Sequence, residues 1–211
     1  MDQDTLDRLA IRDVIDQWVV WSDAGDWERF RTIWHDDGWM NATWTQGPAE
    51  EFVEARRGAW ERNLLILHFL GGTVIDLAGA RAVAQTKMQI HQRGDVHGVE
   101  CDMVCTGRFY DFFEKRDGGW GVVLRQPIYE TDRMDPIDPA ATLALDPEIL
   151  DRFPVGYRHL AYFQVVNGFK VKPDQPGLKG PETDALYAIG ASWLKGEALP
   201  ERIRRRYSQG D

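Results

Sequence analysis

Four long β-type runs, Leu64 to Leu77, Arg81 to Arg93, Val99 to Phe113 and Trp120 to Thr131, follow one another with only short breaks. The breaks, Ala78-Gly79, Gly94-Asp95 and Asp117-Gly118-Gly119, carry the residues that reach the positive φ of a tight hairpin turn. Runs of this length joined in this way specify a meander of long antiparallel strands, and strands this long bend. One face of such a sheet has to be covered.

The residues ahead of the meander supply the cover. Leu6, Ala10, Val14, Trp18 and Trp21 form one helical stripe, with Asp4 or Thr5 to cap its start and Gly25 to end it. A second helix is expected from Asp26, carrying Trp27, Phe30, Ile33 and Trp34 as far as Gly38, so that Asp23-Ala24-Gly25 links a helical hairpin. A short strand around Trp39 to Thr45 follows. Gly47-Pro48 then opens a third helix whose first turn holds Glu50 and Glu51, suited to the positive end of its dipole. Three helices followed by an antiparallel meander is an α+β pattern: helices packed on a strongly bent sheet to make a cone, with a small ligand in its interior.

From Asp135 the chain turns proline-rich, with Pro136, Pro139, Pro147 and Pro154, and two helical patterns follow near Tyr157 to Val166 and Glu182 to Leu194. The expected organisation is a cone-shaped domain over residues 1–134 and a helical extension over 135–211. Tyr157, Leu160, Tyr162, Phe163 and Val166 give that extension an apolar face that must cover the cone or a subunit boundary.

The chain has 211 residues, 25 of them Lys or Arg against 34 Asp or Glu, for a formal net charge of -9. That balance argues against nucleic acid or an anionic membrane as partner. The one basic cluster, Arg202, Arg204, Arg205 and Arg206, reads as a solvated helix end. No segment approaches the roughly 18 to 20 apolar residues of a membrane span, and Met1-Asp2-Gln3-Asp4 is acidic where a leader would be basic; a soluble, cytoplasmic protein is expected. Cys101 and Cys105 share one strand face at a separation too long for a disulfide, which reads as two free thiols. HExxH, CxxC, GxGxxG and GxxxxGK[ST] patterns are all missing, so neither a metal nor a cofactor is expected.

Chemistry enters with Ile66-Leu67-His68-Phe69-Leu70-Gly71-Gly72, where a titratable ring interrupts an apolar strand. Such a histidine is either a core residue satisfied by one hydrogen bond or a catalyst. If His68 points inward, alternation sends Ile66, Leu70, Gly72 and Val74 inward with it, and Phe69 and Ile75 outward. On the next strand His91 shares a face with Gln89 and Arg93, either solvent or a polar pocket. Asp23 on its own is a common turn residue.

Together these residues resemble a known family. Asp23-Ala24-Gly25-Asp26-Trp27-Glu28-Arg29, Pro48-Ala49-Glu50-Glu51-Phe52-Val53, His68-Phe69-Leu70-Gly71-Gly72 and His91-Gln92-Arg93 are similar, in order and spacing, to landmarks of the scytalone dehydratases. Those enzymes belong to the nuclear transport factor 2-like, or SnoaL-like, superfamily, together with hexachlorocyclohexane dehydrochlorinases and polyketide cyclases. The resemblance covers about residues 5 to 133. It implies the cone-shaped α+β fold, a homo-oligomer (trimer ahead of dimer), and a cavity in which an Asp-His pair, here Asp23 and His68, works without a cofactor. His91 matches the family's second histidine, which helps to hold substrate and water.

The departures are equally informative. The family's carbonyl-polarising tyrosines fall at Ser22 and Ala42, and its substrate-contacting serine and asparagine at Gly107 and Phe109. The base is kept while the carbonyl-holding groups are lost, which favours a less polar, aromatic substrate. Trp18, Trp44, Gln89, Phe109 and Tyr129 are the expected substrate contacts. Arg125 either joins them, meeting a developing oxyanion, or closes an ion pair with Asp111. The function expected is a lyase that loses water, halide or, from a lignin-derived diarylpropane-type diol, formaldehyde. The alternatives are a polyketide or steroid isomerase or cyclase, and a ligand-binding or assembly subunit of the same fold.

Overall fold

The first helix, α1 (Gln3–Ala24), opens at Asp2, whose carboxylate accepts the Thr5 amide at 2.8 Å. The cap therefore lies two or three residues before the expected Asp4 or Thr5. In the computed structural model, which describes residues 2–207, the buried face of α1 is Asp7, Ile11, Ile15, Trp18, Val19 and Ser22. That stripe is rotated from the expected one, and Leu6 is exposed. Gly25 ends the helix with φ +74°, donating its amide to the Trp21 carbonyl, the left-handed C-terminal geometry that glycine takes without strain.

The second helix, α2 (Trp27–Arg31), starts at Asp26 as expected, with the Arg29 amide donating to its carboxylate at 3.2 Å. It stops well short of Gly38, because Trp34 already pairs with Val122 in strand β1 (Trp34–Asn41). After β2 (Gln46–Pro48) come α3 (Ala49–Glu61), the four long strands, β3 (Leu65–Ala78), β4 (Arg81–Val96), β5 (Val99–Arg116) and β6 (Gly119–Pro136), and then the one-turn helix α4 (Pro147–Leu150).

The six strands form one sheet in the order β2-β1-β6-β5-β4-β3. All pairs are antiparallel except β1 with β6, which run parallel. The fold is α+β, and the sheet is not purely antiparallel. The β5–β6 turn falls on Asp117-Gly118, at φ +49° and +83°. The β4–β5 turn falls on His97-Gly98, at φ +56° and +83°, and not on Gly94-Asp95. Pairing runs on through Gly94 opposite Cys101. Gly94 is small for packing reasons: a Cβ there would lie 3.0 Å from the Phe163 ring.

Within β3 the register slips between Leu70 and Thr73, at Gly71-Gly72. A bulge of one residue sends every later side chain to the opposite face. Val74 is therefore exposed and Ile75 packs on the core, the reverse of the strict alternation expected.

Two apolar layers sandwich the sheet. On the inner face α1, α2, α3 and α5 (Arg158–Val166) pack with Met88, Cys105, Phe109 and Tyr129. On the outer face α6 (Pro181–Leu194) lays Leu186 and Trp193 on Tyr110, Phe112, Leu124 and Ile128. Tyr157, Leu160, Tyr162 and Phe163 are buried and Val166 partly so; α5 thus covers the sheet where α1 to α3 leave it open. Near the end of the described chain Arg206 reaches Glu51 at 2.6 Å, so part of the basic cluster is tied to α3. Among the described residues no helix is long and apolar enough to cross a membrane, and no cluster of three or more His, Cys, Asp or Glu could hold a metal ion. Both cysteines are free and buried.

Candidate functional site

The left-handed turn at Gly25 leaves Asp23 in the last turn of α1, pointing across to the edge strand β3. One carboxylate oxygen of Asp23 lies 2.9 Å from His68 Nδ1, and the other accepts the His68 backbone amide at 2.5 Å. A carboxylate can only accept, so Nδ1 carries the proton and Nε2 is left with its lone pair. Among the described residues Nε2 has no hydrogen-bond partner. The His68 side chain is 6% exposed. Burial pushes its pKa below the ordinary 6.5; the bond to Asp23 and its charge act against that shift, and the charges of Arg56 and Arg125 add to it. The resting ring is a neutral base.

Arg56 braces this pair from behind. It lies on the apolar stripe of α3 with Phe52, Val53 and Ala59, and its guanidinium donates to Ser22 Oγ from Nε and from Nη2, both at 3.2 Å. Nη2 also reaches the Ile66 carbonyl at 3.3 Å and an Asp23 oxygen at 3.5 Å. Burial lowers the pKa of this arginine while Asp23 opposes the shift. The same side chains that orient the base thereby satisfy outward-facing groups of a sheet edge, at His68 N and Ile66 O.

The Trp18 ring meets His68 edge-on at 5.1 Å, and Phe109 lies 6.1 Å from it. These rings, with Phe52, Ala42, Pro127 and Tyr129, line a chamber into which His68 faces. The cavity they enclose is small, about 30 Å³, room for a water molecule or two. Burial raises the pKa of the Tyr129 phenol, so it stays protonated. Below the rings Arg125 is sandwiched at 4.2 Å from Trp18 and 4.1 Å from Phe109.

Of the residues expected to make the site, the chamber brings together Asp23, His68, Trp18, Trp44, Phe109 and Tyr129. It does not include His91, Gln89 or Arg125. His91 stands opposite Leu67, whereas His68 stands opposite Ile90, so His91 faces the other side of the sheet. It lies there beside Gln89, at 3.5 Å, and Gln89 turns toward Thr106. Arg125 forms the ion pair with Asp111, two bonds of 2.7 Å with both side chains fully buried. A guanidinium this deep needs a carboxylate, and that need decides between the two expected roles.

The second polar position on β4 is Gln92, opposite Ile66 and lining the chamber. Of His91-Gln92-Arg93 it is thus Gln92 that faces the chamber, because alternation gives the faces of a single strand but not its register with the next. Gln164, from α5, also lines the chamber and accepts the Thr43 hydroxyl at 2.7 Å. Arg56 was missed as well; its signal was a charged residue on an otherwise apolar helical stripe.

A SnoaL-like domain profile matches residues 3–126. A PEP2-like protein of Fusarium vanettenii is 36% identical over 209 residues, covering 94% of this chain and 90% of that protein. Pea pathogenicity protein 2 of the same fungus is 34% identical with the same coverage. Among solved structures, a type 2 hexachlorocyclohexane dehydrochlorinase superposes with TM-score 0.54 at 14% identity, over 66% of this chain and 95% of that one. A candidate scytalone dehydratase from Novosphingobium aromaticivorans gives 0.53 at 14% identity, over 65% and 97%. The structural likeness concerns the fold, and it covers about two thirds of the chain.

Proposed function

Because the chain belongs to the SnoaL-like family, we propose that it is a lyase in which His68, oriented by Asp23, removes a proton from a small, largely apolar, aromatic substrate and returns it to the leaving group. The observation that carries this reading is the pairing of Nδ1 with Asp23 at 2.9 Å, with Nε2 unpartnered and the ring facing a chamber of aromatic side chains. The carboxylate keeps the proton on Nδ1, so Nε2 is the basic nitrogen. It also stabilises the imidazolium formed when Nε2 takes up a proton, the division of labour of general acid-base catalysis. Burial keeps the resting ring neutral, which is the form the first step requires.

The leaving group is hydroxide, departing as water once His68 returns the proton, or a halide. In the diarylpropane-type diol the proton comes from a primary alcohol. Its O–H electrons form the carbonyl of formaldehyde, the C–C bond breaks, and its electron pair forms the alkene as the benzylic hydroxyl leaves with the returned proton. Every atom is then accounted for in formaldehyde, water and a diaryl alkene. Tyr129, held in its protonated form, is a donor on the chamber wall for a departing oxygen.

The test is a panel of hydroxylated monoaryl and diaryl compounds incubated with the purified chain and no added cofactor, following alkene absorbance and formaldehyde. The expected result is turnover of at least one member. Panel-wide inactivity of folded protein would count against the lyase reading and leave a binding role.

A further inference from the structure

The turn that follows Asp23 is one wall of a second open space. Ala24, Gly25 and the start of α2 face Arg57, Trp60 and Glu61 at the end of α3 across a groove of about 710 Å³. None of the residues lining it lines the chamber.

We propose that this groove binds a small quaternary ammonium compound, with the trimethylammonium group seated in the corner between the Trp27 and Trp60 rings. The site stands apart from the chamber and does not depend on the lyase reading.

The corner is set by packing on either side of it. Trp27, the first residue of α2, meets Phe30 edge-on at 6.2 Å. Trp60, in the last turn of α3, rests on the turn at Gly25, where a Cβ would come within 3.0 Å of its ring. The two indoles are 6.3 Å apart with their planes at 75°, and both face the groove. Trp60 is nevertheless 45% exposed, beside the charged Arg57 and Glu61. A flat ligand lies against a single ring, whereas a compact rounded cation touches two faces set nearly at right angles. Indole is also the aromatic face that attracts a cation most strongly.

The charge around the corner favours a cation. Arg31 is committed to Glu50, at 2.9 Å, and to Glu54. Arg57 holds Glu61 at 3.1 Å, and Asp26 takes Arg29 Nε at 2.6 Å. Glu28 has no ion pair or hydrogen bond among the described residues. With these partners included, five carboxylates stand against three guanidiniums, and no guanidinium lining the groove is left free for an anion. A primary ammonium is strongly hydrated and demands convergent acceptors in exchange for its water. A quaternary one donates no hydrogen bond and needs only ring faces and a negative field.

The walls also limit the size of the occupant. Beyond the two indoles they carry only Ala24, Gly25 and charged side chains. No apolar strip is present to take an acyl chain or the side chains of a peptide, hence a free cation of the choline type.

The experiment is calorimetry of choline and of its neutral isostere 3,3-dimethylbutan-1-ol with the full chain at low salt, alongside ¹⁵N-¹H spectra of the nine tryptophan indoles. Choline is expected to bind about fivefold tighter than the isostere, or better, and to move the Trp27 and Trp60 signals and no other. Trp60→Leu keeps an apolar side chain over Gly25 without a π face, and is expected to weaken choline about fivefold while leaving the isostere within about twofold. Glu28→Gln, a surface change that leaves the packing intact, is expected to weaken choline about twofold. Equal affinity for choline and the isostere, no binding of choline at about 20 mM, full affinity in both variants, or shifts confined to other indoles would overturn the proposal. Retention on phosphatidylcholine vesicles without binding of free choline would assign the groove to a membrane surface and overturn it equally.

Discussion

Asp23 holds His68 at two points, ring and backbone: one carboxylate oxygen stands 2.9 Å from Nδ1 and the other takes the amide of the same residue at 2.5 Å. The second contact fixes the strand relative to the helix, and the first fixes the ring relative to the strand. Rotation of the imidazole would break the ring contact, so Nε2 is directed by the fold as well as by the local rotamer.

Asp23→Asn tests what the carboxylate does. An asparagine retains the shape but can donate its own N–H to Nδ1, which would move the ring proton to Nε2 and remove the basic lone pair. The expected loss in kcat/KM is about 10²- to 10⁴-fold, with KM changing little. A variant that keeps half of wild-type kcat/KM would show that Asp23 is a structural cap.

The acid limb of the pH profile follows from the depressed His68 pKa. Burial is the main cause, and the charges of Arg56 and Arg125 act in the same direction. The kcat/KM acid limb is therefore expected to have its midpoint below 6.5, and an ¹⁵N-¹H titration should show the His68 ring predominantly neutral and protonated at Nδ1 at pH 6.5. The sign for stability is the same. The folded pKa lies below the unfolded value, so the contribution is complete above about pH 6.5 and is lost as pH falls from there to the folded pKa.

Arg56→Met removes the brace while keeping much of its bulk. Ser22 Oγ, the Ile66 carbonyl and Asp23 would each lose a donor in a buried setting. Urea unfolding should show a loss of about 3 kcal/mol. The acid limb should also move to higher pH, because removing a nearby positive charge makes His68 easier to protonate. A stability loss without that movement would place Arg56 outside the electrostatics of the base.

How much of this was legible in the sequence depends on which interactions decide each feature. The helix starts at Asp26 and Pro48, the long strands and the Asp117-Gly118 turn are set by local chemistry and were readable. His68 stands out because a polar residue in an apolar strand is a local anomaly, whereas Asp23, alone an ordinary turn residue, is picked out only by the family resemblance. What failed depended on contacts between strands. Gly94 read as a turn because its reason for being small is the Phe163 ring, 69 residues away in the chain. His91 took the place of Gln92 because register is settled by pairing with β3, and Val74 exchanged faces with Ile75 because of a bulge at Gly71-Gly72 that alternation cannot foresee.

Gly107 offers a test of the chamber's frame. A Cβ at this position would lie 2.0 Å from the Ile128 carbonyl oxygen, at the point where the β5–β6 register slips. Gly107→Ala is expected to cost about 3 kcal/mol, at the upper end for overpacking because the obstacle is backbone, read as a lowered urea midpoint. An unchanged midpoint would mean that the two strands separate there without penalty.

The most direct measurement is kcat/KM for His68→Gln against the unmodified chain, on the first panel compound shown to turn over, with both proteins checked for the same circular dichroism. Glutamine fills the ring's place without a basic nitrogen, so the expected result is a fall of about 10²- to 10⁴-fold with the fold retained. Turnover equal to that of the unmodified chain would show that His68 is not the base.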